Sequence, residues 1–76
     1  MENKKFYLDP VDSRKSFYNK CYVILVDNIA TLYSYDTKIM TYDTTTGEVT
    51  KTKDYNYSMT TKRHQNAFKE YYNIND

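Results

Sequence analysis

Seventy-six residues make one domain at most, and a chain this short buries only about 60% of the surface it exposes when unfolded. Eleven basic and ten acidic residues leave a net charge of +1, which argues against an acidic nucleic-acid mimic and gives no support to a strongly basic nucleic-acid binder. The lone cysteine, Cys21, excludes an internal disulfide, and with the lone histidine, His64, it cannot complete a zinc site, so no metal or cofactor is expected and self-association (a homodimer) or a partner is the aid to stability left open.

Residues 1–19 read as an N-terminal arm, and residues 20–76 as a single α+β domain. Within the arm, Asp9-Pro10-Val11-Asp12 is suited to start a short helical turn, with Pro10 at the first helical position. No apolar h-region follows the N-terminus, and the longest apolar run, Cys21 to Val26, is far short of the ~20 residues that cross a bilayer. With no disulfide, these features predict a soluble, cytoplasmic protein without membrane contact.

Cys21-Tyr22-Val23-Ile24-Leu25-Val26 is apolar at every position and predicts a central strand. Asp27-Asn28 suits a two-residue turn. The segment from Ile29 to Tyr35 predicts a second strand, with Ile29, Thr31, Tyr33 and Tyr35 on one face and Ala30, Leu32 and Ser34 on the other. Asp36-Thr37 interrupts the run. Lys38 to Asp43 predicts a third strand, with Met40 and Tyr42 opposite Ile39. Thr44-Thr45-Thr46-Gly47 is a hairpin loop, and Glu48 to Lys53 a polar edge strand with outward lysines.

The last element is a helix capped by Ser58 or Thr60, with His64, Ala67, Phe68, Tyr71 and Tyr72 forming one apolar stripe at spacings of three and four. Lys62, Gln65, Asn66, Lys69 and Glu70 fall mostly on its wet side. The predicted architecture is an antiparallel three- to four-stranded meander with a C-terminal helix packed on one face.

No glycine-rich phosphate loop is available to a chain with one glycine. Cys21 and His64 are formally a nucleophile and a base, but a cysteine opening an apolar strand is expected to be a buried, inert thiol. The chain is therefore read as non-enzymatic.

Two surfaces are candidates. Thr60, Thr61, Lys62 and Arg63 load hydroxyls and cations onto the first helical turn, where the macrodipole disfavours positive charge. Either Arg63 meets a carboxylate, with Asp36 the first choice, or the four residues converge on an anion such as a nucleic-acid phosphate. The pairs Tyr33/Tyr35 and Tyr55/Tyr57 are two apart on strands and so share faces. One pair is expected to pack under the helix and the other to face a partner, with Tyr55 and Tyr57 leading because the strand before them is sparsely packed.

Ser16-Phe17-Tyr18, Leu32-x-Ser34-Tyr35-Asp36-Thr37-x-Ile39 and Tyr57-Ser58-x-Thr60-Thr61-x-Arg63-His64-x-x-x-Phe68 resemble a family of small uncharacterised proteins encoded by phages and mobile elements of low-GC Gram-positive bacteria. The resemblance spans about residues 16–72 and implies a context rather than a mechanism. In that context a small non-enzymatic protein is expected to bind and block a host protein complex of a defence system, as an anti-CRISPR protein blocks a CRISPR effector. The alternative is a nucleic-acid-binding accessory protein that uses the basic end of the helix. A small structural protein of a phage is the third reading.

Overall fold

A computed structural model describes residues 3–8, 20–55 and 59–74. Five strands, β1 (Asn3–Tyr7), β2 (Cys21–Val26), β3 (Ile29–Ser34), β4 (Thr37–Asp43) and β5 (Val49–Lys51), precede one helix, α1 (Met59–Tyr72). The strands form one antiparallel sheet in sequence order, so the α+β meander expected from the sequence is present with one strand more. That strand comes from the stretch read as an arm: Asn3–Tyr7 pairs with β2 along its whole length, and Leu8 N–H donates to the Cys21 carbonyl at 3.0 Å. The turn expected at Asp9–Asp12 lies outside the described residues.

Short loops fix the registers. Asp27, at φ 55°, lets β2 fold back so that Val26 faces Ile29 and Tyr22 faces Tyr33. Between β3 and β4 both loop residues, Tyr35 (φ 53°) and Asp36 (φ 67°), are left-handed, the pattern of a type I′ hairpin turn. The interruption expected at Asp36-Thr37 is this turn, one residue earlier. A register shift between Leu32 and Tyr33 then puts an extra residue into β4. The bulge changes the expected facing of Met40 and Ile39, which are both buried in the core. Gly47, at φ 82°, closes the β4–β5 loop, where Asp43 accepts from the Thr45 and Thr46 N–H groups at 2.8 and 3.1 Å. Those bonds, with a third from Asn28, hold its carboxyl below the usual range.

The inner face of the sheet carries Phe6, Leu8, Cys21, Val23, Ala30, Leu32, Ser34, Met40 and Tyr42. Against it α1 lays Thr61, His64, Gln65, Ala67 and Phe68, all buried. The stripe expected on α1 thus holds at His64, Ala67 and Phe68. It differs at Tyr71, which is 57% exposed and meets Phe6 of β1 at 5.1 Å between ring centroids. Gln65, expected on the wet side, is buried because its amide donates to the Tyr55 carbonyl. The helix ends at left-handed Asn73 (φ 55°), with Ile74 N–H reaching back to the Lys69 carbonyl at 2.8 Å and Asn73 N–H to that of Glu70 at 3.4 Å. This is a Schellman cap with Ile74 as its hydrophobic contact to the core. No helix among the described residues is long and apolar enough to cross a membrane.

Candidate functional site

The first turn of α1 does not gather the four residues proposed there. Thr61 is 1% exposed and its hydroxyl lies 3.4 Å from Ser34 Oγ, while Lys62 is exposed and Thr60 and Arg63 are half-buried. Consecutive helical residues diverge by about 100°, so a hydroxyl turned into the core takes Thr61 away from any ligand beside Lys62. Asp36, the carboxylate chosen for Arg63, accepts a 2.6 Å hydrogen bond from the Tyr22 hydroxyl.

Behind that turn lies a buried polar cluster. Ser34 Oγ and His64 Nδ1 share a 2.7 Å hydrogen bond, and Cys21 is the register partner of Ser34. The spacing matches a nucleophile and its base, yet Cys21, Ser34 and His64 are 0, 2 and 0% exposed, so no substrate reaches them. Burial pushes the Cys21 thiol up to about 12, which removes its thiolate at neutral pH. Burial first, and the nearby Arg63 charge second, hold His64 down at about 4, so its imidazole is neutral. The cluster is a polar clip joining α1 to β3. Among the described residues no group of three or more His, Cys, Asp or Glu side chains is placed to hold a metal ion.

The tyrosines divide differently from the expected pairs. Tyr35 sits in the type I′ turn rather than in β3, so the strand alternation stops at Ser34. Its ring is 53% exposed and approaches His64 at 5.7 Å, whereas Tyr33 joins the opposite face. Tyr55 is half-buried against the core, with Lys51 and Lys69 ammonium groups 4.9 and 5.5 Å from its ring centre. The strand before it was expected to leave it exposed, but Val49 and Tyr55 both find core to pack on. Tyr57 lies outside the described residues.

The outer face of the sheet, which no described element crosses, is the larger candidate site. Tyr7, Tyr22 and Tyr33 are successive register partners on β1, β2 and β3 and form a ladder. Tyr22 and Tyr33 stack at 5.1 Å with 3° between planes, and Tyr7 meets Tyr22 edge-on at 5.9 Å. Lys5 places its ammonium 4.6 Å from the Tyr22 ring centre and 5.4 Å from that of Tyr7. The bond to Asp36, then burial, pushes the Tyr22 hydroxyl up to about 12, so it remains a donor, and Tyr22 itself is only 8% exposed. Beyond the ladder the face continues through Ile24, Val26 and Ile29, the last two 44 and 37% exposed. Lys38, Thr41, Asp43 and Thr50 form the polar margin on β4 and β5. Helix α1 packs on the other side, and among the described residues no element crosses this face.

Tyr22 and Tyr7 were not among the sequence candidates. A signal existed for Tyr22: a two-residue turn at Asp27-Asn28 pairs Val26 with Ile29, and counting back pairs Tyr22 with Tyr33. None existed for Tyr7, because the long connection between β1 and β2 leaves that register open.

Neither the comparison with curated proteins nor that with solved structures gives a match. A family model does match, over residues 6–76, which takes in all five strands except the start of β1 and the whole of α1. The chain belongs to that family, a family of unknown function (DUF8033).

Proposed function

We propose that this protein is a non-catalytic binding module that docks a partner protein on the outer face of its sheet, which no described element crosses. The observation that carries the reading is the make-up of that face: an aromatic and aliphatic centre (Tyr7, Ile24, Val26, Ile29 and Tyr33 around a nearly buried Tyr22) inside a rim of lysine, threonine and aspartate. An apolar centre with a polar rim is the anatomy of protein–protein interfaces, and tyrosine is enriched in them. The sealing of Cys21, Ser34 and His64 supports a role without catalysis.

In its finer form the proposal makes the chain a phage-encoded inhibitor in the host cytoplasm, its partner a host defence complex such as a CRISPR effector. That form rests on the resemblance carried by the Tyr57–Phe68 motif and on the small size of the domain. The nucleic-acid reading has less support, because Thr61 turns inward from Lys62 and the four helix-end residues do not converge.

Affinity capture with nuclease-treated lysate tests the proposal. Tyr33→Ser and the pair Val26→Asp with Ile29→Asp are expected to weaken capture at least about thirtyfold, the loss typical of an interface anchor. Lys62→Glu is expected to leave it unchanged. The opposite ranking, with steep salt dependence, would transfer the function to the helix end and to nucleic acid.

A further inference from the structure

No further inference is drawn: the strongest candidate, the outer sheet face around the Tyr7–Tyr22–Tyr33 ladder, belongs to the docking site already proposed, sets Asp36 and Asp43 against Lys5 and Lys38, and nothing in the structure shows what covers it.

Discussion

Acidification below pH 6.5 should loosen this domain first through His64. In the fold His64 is fully buried and titrates at about 4, against 6.5 for an ordinary histidine. Above pH 6.5 it is neutral in both states and its contribution to stability is complete. Between 6.5 and about 4 the unfolded chain binds a proton that the folded one does not, so stability falls as pH falls. A difference of about 2.5 in pKa, at about 1.4 kcal/mol per unit, is a loss of ~3 kcal/mol by pH 4. For a small domain that is a large part of the total. Urea unfolding at several pH values, followed by circular dichroism, measures it. In His64→Asn, which keeps a hydrogen-bonding atom near Nδ1 and cannot titrate, the slope between pH 6.5 and 5 should disappear, leaving only the onset of the Asp43 contribution near pH 4, whatever the variant's absolute stability. A wild-type curve flat across that window, or an unchanged slope in His64→Asn, would refute the account of the Ser34–His64 clip.

Three further outcomes follow from the packing. Phe68, completely buried, should cost ~3–5 kcal/mol on truncation to alanine and largely unfold the domain; a urea-measured loss below about 1 kcal/mol would mean that α1 faces the sheet differently. Cys21 should resist thiol reagents at neutral pH in the folded protein and react at once in urea, and fast labelling without denaturant would contradict its burial. Tyr35 holds a left-handed conformation that suits asparagine better, so Tyr35→Asn should raise stability by about 1 kcal/mol by thermal melting. If the same variant lost partner capture, the strained turn would be shown to serve binding.

Much of the fold was legible because local chemistry and pattern agree. The unbroken apolar run at Cys21–Val26, the turn at Asp27-Asn28, the glycine of the β4–β5 loop and the His64–Phe68 spacing each point to the observed element. The fifth strand was hidden because Asn3-Lys4-Lys5-Phe6-Tyr7 has the composition of an exposed edge, apolar only at its end, and gains its place from pairing with β2 rather than from burial. The β4 bulge was hidden for a related reason: strict alternation sends Ile39 and Met40 to opposite faces, and only a register shift puts both in the core. The candidate site was harder to read. Tyr33/Tyr35 looked like a same-face pair, but the type I′ turn ends the alternation between them. Which tyrosines gather depends on register across strands, and the sequence fixes that only where a loop is as short as Asp27-Asn28.

The central claim is that a partner protein covers the outer face of the sheet, and an oxidative footprint of the captured complex tests it most directly. The free protein supplies its own controls, since Met59 and Tyr71 are 78 and 57% exposed away from that face. Binding should protect Tyr7, Val26, Ile29 and Tyr33 while Met59 and Tyr71 stay as reactive as in the free chain. Protection centred on Met59, Lys62 or Tyr71, with the outer face still labelled, would contradict the account.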